Sequence, residues 1–380
     1  MKILLNGLSV SYPISGVGQY TLQLGKALSA VLGPGKVLWF GRDLSADGQS
    51  YLNGQGPNFK NYVQHMVKRG LGKIPGVRTP VHAWRNRKFR ICVRTLKASL
   101  YHETNYVPFE FEEGLTVVSV CDLSFLRHPE WHPIDRVRYF KKYCLERLSR
   151  VEAVITISEF SRKELLDLPD VDPARIYVTP LGVNRSFRPG KKRMPGLPNR
   201  YILFLGNLEP RKNLPKLLAA YGSLPRGLRD RYPLVIAGAK VWHTNEFKKL
   251  LNCFPEKEKI ILPGYVPQEL LPDLYRGASL FVYPSLYEGF GLPVLEAMAC
   301  GVPVVASKTT SLPEVVGDAG ILVDPRDVNE LREGMVNLLD DERLRDELSQ
   351  KGLERAKLFT WEKCAQQTIA VYEKILAERR

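Results

Sequence analysis

No apolar run in this chain approaches the roughly 20 residues that cross a bilayer as a helix, and the first strand-like stretch turns polar after Ile3-Leu4-Leu5, too soon for a signal peptide. Both absences predict a protein that stays in the cytoplasm. The six cysteines (Cys92, Cys121, Cys144, Cys253, Cys300, Cys364) stand far apart with no C-x-x-C pair, which argues against a zinc site and a disulfide scaffold. No internal repeat or low-complexity tract is visible. Acid is missing from Gly48 to His102, where Lys60, Lys68, Arg69, Lys73, Arg78, Arg85, Arg87, Lys88, Arg90, Arg94 and Lys97 all occur. A block of one sign this long wants a polyanionic partner.

What is present is the composition of a soluble globular protein: 380 residues, 44% hydrophobic and 25% charged. That length exceeds what one hydrophobic core usually supports, so two domains are expected. The net charge is +15, and residues 1–197 hold 30 Lys+Arg against 16 Asp+Glu while the remainder holds 25 against 24. Almost all the excess charge therefore belongs to the first half.

Apolar runs alternate with amphipathic stretches, the pattern of parallel sheets covered by helices. In the first half the expected strands are 2–8, 37–40, 115–120, 153–157 and 176–179, with a helix over 18–32; residues 48–98 fit this rhythm worst. The Pro-, Gly- and charge-rich stretch from Phe187 to Pro198 suits a linker. After it, strands are expected over 201–205, 234–237, 260–262, 280–283 and 302–306, and a helix over 214–221. The expected domains are 1–190 and 191–360, with 361–380 as a terminal amphipathic helix.

The most informative segment runs from Pro284 to Pro303 and parses as loop, short helix and strand start. Pro293 suits the first helical position, because it lacks an N–H that would have no partner there, and Gly301 suits a left-handed C-terminal cap. The loop thus feeds a helix N-terminus at the carboxyl end of a buried strand, where free N–H groups favour a phosphate. Gly289 and Gly291 let the backbone approach a ligand. Glu288 in the loop and Glu296 in the helix are strong acceptors for sugar hydroxyls. A second segment, Phe204 to Asn213, places Arg211 and Lys212 after a strand, where adjacent cations suit a diphosphate whose charge grows as a bond breaks.

The Glu288-to-Glu296 segment resembles the E-x7-E signature of the retaining glycosyltransferases of family 4, which have the GT-B fold: α/β, with two Rossmann-like doubly wound domains facing a central cleft. The resemblance covers essentially the whole chain and is strongest from 201 to 325. It implies an N-terminal acceptor domain, a C-terminal nucleotide-sugar domain and a last helix, opened by Phe359-Thr360-Trp361-Glu362, that crosses back to the first. It places Glu288 by the donor sugar and Glu296 on the nucleotide ribose, with Gly289, Phe290, Gly291, Leu292 and Val266 on the donor. Lys212 falls at the family's diphosphate lysine; where the family often has Arg directly after the strand glycine this chain has Asn207, leaving Arg211 as the second cation. The Gly16-Val17-Gly18 turn is implied to approach donor phosphate or acceptor, and as a dinucleotide fingerprint it lacks the third glycine. At Cys121-Asp122 the family commonly has His-Asp; Asp122 stays as a catalytic-site candidate, with capping of the following turn as the plainer alternative. Ser158 is expected to cap a helix.

The resemblance to the mannosyltransferase-like branch implies GDP-mannose as donor, a glycan or lipid-linked acceptor in cell-surface polysaccharide synthesis, and no cofactor. No cluster of Asp suggests a metal-bridged diphosphate, so no metal is expected. The basic block, with Trp84, Phe89 and Ile91 among Arg85, Arg87, Lys88, Arg90 and Arg94, fits peripheral docking on an anionic membrane, against the alternative of a solvated basic face. A nucleic-acid binder would also explain the charge but not the glutamate pair, and that pair equally argues against a GT-B epimerase or phosphorylase; nucleic acid is not expected as a partner.

Overall fold

The structure, a computed structural model, describes residues 1–10, 14–41, 78–169, 171–239 and 249–379, with backbone alone at Arg78 and Thr79. Lys60, Lys68, Arg69 and Lys73 of the acid-free block lie outside the described residues. The chain divides into two compact units, Met1–Gly182 with Trp361–Arg380, and Val183–Thr360. The division falls before the Phe187-to-Pro198 stretch, which lies wholly within the second unit.

The first unit holds β1 (Ile3–Asn6), β2 (Val37–Phe40), β3 (Leu100–Glu103), β4 (Leu115–Ser119), β5 (Ala153–Thr156) and β6 (Ile176–Val178). They form one sheet in the order β2-β1-β3-β4-β5-β6, every pair parallel. β1, β3 and β5 are buried along their whole length, as a sheet covered on both faces requires. β3 was not among the expected strands, because His102 and Glu103 give it a polar end. Both are buried, and their polar atoms are satisfied inside the unit. The His102 ring bonds the Tyr372 hydroxyl at 2.6 Å through Nδ1 and Ser119 Oγ at 2.7 Å through Nε2, and the Tyr20 hydroxyl lies 2.7 Å from the same Ser119 oxygen. Burial pulls the His102 pKa down to about 3, so the ring is neutral. These bonds tie the terminal helix Trp361–Glu378 to β3, β4 and the helix Gly16–Leu32.

Residues 48–98 were expected to fit the alternation worst; of their described part, 78–98, most is one helix, Arg78–Val93, followed by a turn. Its Phe89 and Val93 enter a core with Leu4, Phe40, Tyr101, Phe109 and Phe111. The pattern hides this helix because cations lie on nearly every side of it.

The second unit holds β7 (Ile202–Leu205), β8 (Leu234–Ala237), β9 (Ile260–Gly264), β10 (Leu280–Tyr283), β11 (Val304–Ser307) and β12 (Ile321–Val323). Its parallel order is β12-β11-β10-β7-β8-β9. Strand sequence reverses between β7 and β10, so the connections leaving these two neighbours diverge. In an open doubly wound sheet such a reversal opens a crevice at the carboxyl ends, where ligands bind. β12 is a three-residue edge strand that the apolar pattern did not mark.

Candidate active site

The loops after β7 and β10 meet at this reversal. After β7 the chain makes one 3-10 turn, Pro210–Lys212, and Asn213 then adopts a left-handed conformation at φ 60° before the helix Leu214–Gly222 begins. Its side-chain amide donates to the Pro284 carbonyl at 3.1 Å and the Pro325 carbonyl at 2.6 Å, sewing the loops after β7, β10 and β12 together. The Arg211 guanidinium donates to Glu209 at 2.8 Å, to Glu288 Oε2 at 3.1 Å and to the Tyr287 carbonyl at 3.2 Å. The Lys212 ammonium is buried between the Tyr283 hydroxyl, at 2.5 Å, and the Glu288 carboxylate. Asn207 is half-buried, its amide 3.4 Å from Glu209. Burial alone would raise the Glu288 pKa, but the Lys212 and Arg211 cations outweigh it and hold the carboxyl at about 2.

Beyond Glu288, Gly291 sits at φ 106°, and a Cβ there would come within 2.5 Å of Leu312, so only glycine fits. It caps the helix Leu292–Ala299, which places Pro293 at the second helical position and not the expected first. The missing N–H still falls among the four unpaired donors of the helix start, so the proline costs no hydrogen bond. Gly301, at φ 76°, closes the helix in the left-handed conformation expected of it. Phe290 is buried and meets Phe359 edge-on, with ring centroids 5.8 Å apart. Gly289 is buried, Leu292 half-buried, and Val266 buried just past β9. Glu296 is also buried but has no cationic partner among the described residues: burial raises its pKa to about 8, opposed only by the Tyr275 hydroxyl that donates to Oε2 at 2.9 Å. The two glutamates therefore stand in opposite protonation states at neutral pH.

Sequence reasoning missed a third contributor, the end of β11 and the stretch after it. Ser307 Oγ donates to the Ser285 carbonyl at 2.6 Å, Thr310 Oγ1 accepts from the Glu288 N–H at 3.2 Å, and Ser311 Oγ donates to the Glu288 carbonyl at 2.9 Å. The only signal was the run of hydroxyls in Ser307-Lys308-Thr309-Thr310-Ser311.

In the first unit, Gly16, Val17 and Gly18 are not a free loop but the first turn of the helix Gly16–Leu32, whose Ser15 Oγ accepts from the Gly18 N–H at 3.2 Å. A Cβ at Gly18 would lie 2.7 Å from the Ser9 carbonyl, a structural need for glycine, whereas Gly16 has open space around it. Asp122 caps the next turn, accepting from the Ser124 N–H at 3.0 Å and the Ser124 hydroxyl at 2.8 Å. Burial, reinforced by Asp122, pushes the Cys121 thiol far above its ordinary range. Ser158 caps the helix Glu159–Leu166 through the Ser161 N–H, as expected. The missed buried acid here is Glu103 at the end of β3, which burial raises to about 7 while Tyr101, Asn6 and the Asn105 N–H donate to it.

The basic patch needs one correction. Phe89 faces the core and is fully buried, so it offers nothing to a surface; Trp84 and Ile91 are 56% and 62% exposed. Arg90 is engaged by Glu110 and Glu112, while Arg85, Arg87 and Arg94 are exposed and Lys88 is half-exposed. Among the described residues no helix is long and apolar enough to cross a membrane.

Comparison with known proteins agrees with this geometry. Residues 191–355 match the family model described as glycosyl transferases group 1. The chain is 37% identical to O-antigen chain mannosyltransferase B of Escherichia coli, over 98% of this chain and 100% of that protein. It is 34% identical to the serotype-specific mannosyltransferase WbdA of E. coli, over 68% of this chain and 33% of that longer protein. Among solved structures, sucrose-phosphate synthase of Thermosynechococcus elongatus superposes with a TM-score of 0.76 at 21% identity, covering 100% of both chains, a likeness of fold. The chain belongs to the group 1 glycosyl transferases and is a glycosyltransferase of GT-B fold.

Proposed function

We propose that this enzyme transfers mannose from GDP-mannose to a glycan or lipid-linked acceptor in cell-surface polysaccharide synthesis, with retention and without a required metal ion. The observation that carries the proposal is the full-length similarity to O-antigen chain mannosyltransferase B. The site geometry supports it. Arg211, Lys212 and the N-terminus of the Leu292–Ala299 helix offer positive charge at one end of the crevice, where a diphosphate would sit. Glu288 is assigned to the sugar and Glu296 to the ribose. Within the first unit, the Gly16-to-Gly18 turn is assigned to donor phosphate or acceptor, and Asp122 to the acceptor hydroxyl or donor sugar.

In the proposed step the acceptor hydroxyl attacks the anomeric carbon from the face the diphosphate leaves. The carbon–phosphate oxygen bond breaks, the new glycosidic bond forms, and the acceptor proton passes to the departing phosphate oxygen. The two cations then stabilise charge that grows only in the transition state, which is where binding energy accelerates a reaction.

Work on a lipid-linked acceptor fits peripheral attachment to an anionic cytoplasmic membrane surface through the Trp84–Ile91 face. The test is transfer from a panel of GDP- and UDP-sugars, with and without chelator, followed by NMR of the product's anomeric proton. Retained configuration from GDP-mannose in chelator is expected; inverted product, or a chelator-dependent rate, would refute the mechanism, and a different preferred donor would refute the substrate.

A further inference from the structure

Thr310 is one of four described non-glycine residues at positive φ, at 60°. A β-branched side chain is disfavoured there and glycine would adopt the conformation freely. What threonine brings that glycine lacks is its hydroxyl, and that oxygen accepts the N–H of Glu288, 22 residues earlier, at 3.2 Å. The next residue, Ser311, is fully buried, and its hydroxyl donates to the carbonyl of the same Glu288 at 2.9 Å. Both hydrogen-bonding groups of one residue's backbone are thus held by adjacent hydroxyls of a strained turn, and strain of this kind clusters at functional sites.

We infer that Thr310 and Ser311 are positioning residues that clamp the backbone of Glu288 so that its carboxylate keeps its place when the donor arrives. The inference rests on the proposed role of Glu288 at the donor sugar. In the structure the carboxylate is pinned by Lys212 and Arg211. A bound diphosphate competes for those same two cations, so the side-chain anchors weaken at the moment the carboxylate is needed. The backbone clamp makes no use of charge and is untouched by that competition. Ser307, bonded to the Ser285 carbonyl, extends it one turn upstream.

The test compares Thr310→Gly, Thr310→Ala and Thr310→Ser. Glycine removes the hydroxyl and relieves the strain, alanine removes hydroxyl and methyl but keeps the strained Cβ, and serine removes the methyl alone and keeps the oxygen. Turnover in the Gly and Ala variants should fall by about tenfold or more, equivalent to about 1.4 kcal/mol, with a smaller change in donor KM and an unchanged melting temperature in the Gly variant. Serine should restore turnover. Amide exchange at Glu288, followed by mass spectrometry without any donor, should quicken in the Gly and Ala variants and match wild type in the Ser variant. Wild-type exchange in Thr310→Gly, or a Ser variant as impaired as the Gly variant, would overturn the clamp. If the wild-type enzyme transferred from no nucleotide mannose, the substrate proposal would fail while the exchange measurement still decided this one.

Discussion

The Lys212 ammonium donates to the Glu288 carboxylate, and both side chains are nearly sealed from solvent, at 5% and 6% residue exposure. With Arg211 bridging the other Glu288 oxygen and Glu209, two cations face two carboxylates, a balanced cluster whose cations are held in place for a diphosphate. Glu288→Gln should therefore lower turnover by at least about a hundredfold, or about 2.7 kcal/mol, while leaving a folded protein. Lys212→Met should cost stability near the lower end of the roughly 3–5 kcal/mol typical for removing one partner of a buried pair, because Arg211 remains. Initial rates and urea unfolding of both variants check this; wild-type turnover in Glu288→Gln would remove Glu288 from the mechanism.

The glutamate pair makes opposite demands on pH. Glu288, held at about 2 against an ordinary 4.5, stabilises the fold above 4.5 and loses that contribution as pH falls toward 2. Glu296, raised from 4.5 to about 8, binds its proton more tightly folded than unfolded. Its contribution is complete below 4.5 and is lost as pH rises to about 8. Between about pH 5 and pH 8 the wild type should thus lose thermal stability relative to Glu296→Gln, which has no carboxyl to ionise, and 1 kcal/mol moves the melting temperature by roughly 2–4 °C in domains of this size. Glu103, raised to about 7, has the same sign but is present in both proteins and cancels. Parallel melting curves against pH would show that Glu296 ionises normally.

In the second unit the stretch after β10 was legible because its local signals agreed: apolar strand, glycine loop, proline at a helix start, glycine at its end, and two acids among them. Agreement failed where polar residues are buried. His102 and Glu103 broke the apolar pattern so that β3 was not expected as a strand, although it lies inside its sheet between β1 and β4. Thr310 and Ser311 were illegible for another reason: a hydroxyl bonding a backbone group 22 or 23 residues away leaves no periodic trace. The helix Arg78–Val93 escaped because its charge is spread around it, so that Phe89 read as one of three surface apolars and not as core.

Cys121 tests whether a proton-carrying side chain is needed at its position. The residue is buried, and burial with the adjacent Asp122 opposes the thiolate that both nucleophilic attack and alkylation require. Cys121→Ala should keep activity within about tenfold. Asp122→Asn should lose more: an amide oxygen can still accept both Ser124 bonds, so the turn survives and only the charge is removed. In mass spectrometry after iodoacetamide, the exposed Cys253 should be labelled long before Cys121. Inactive Cys121→Ala, or a sugar covalently trapped on Cys121, would replace the proposed single displacement by a covalent route.

The helix Arg78–Val93 carries the last prediction. Trp84 and Ile91 lie seven residues apart, two turns along one face, and are exposed; Lys88 stands between them with its ammonium 4.1 Å from the Trp84 ring centroid. Arg87 follows Trp84 by three positions, on the same side of the helix, Arg94 lies in the turn just past the helix end, and neither forms an ion pair among the described residues. The neighbouring helix Ile134–Phe140 adds Ile134, 60% exposed. Apolar tips ringed by cations suit the interface of an anionic bilayer, where each basic residue contributes about 1 kcal/mol at low salt. Vesicle flotation should show binding to anionic lipid that salt weakens, and little to neutral lipid. Replacing Arg87, Lys88 and Arg94 together by Ser should weaken it by about 3 kcal/mol, roughly 150-fold. Trp84→Ala with Ile91→Ala should remove the part that survives high salt, because apolar burial is not screened. Equal binding to neutral and anionic vesicles, or a triple variant that floats like wild type, would leave this face an ordinary solvated helix surface.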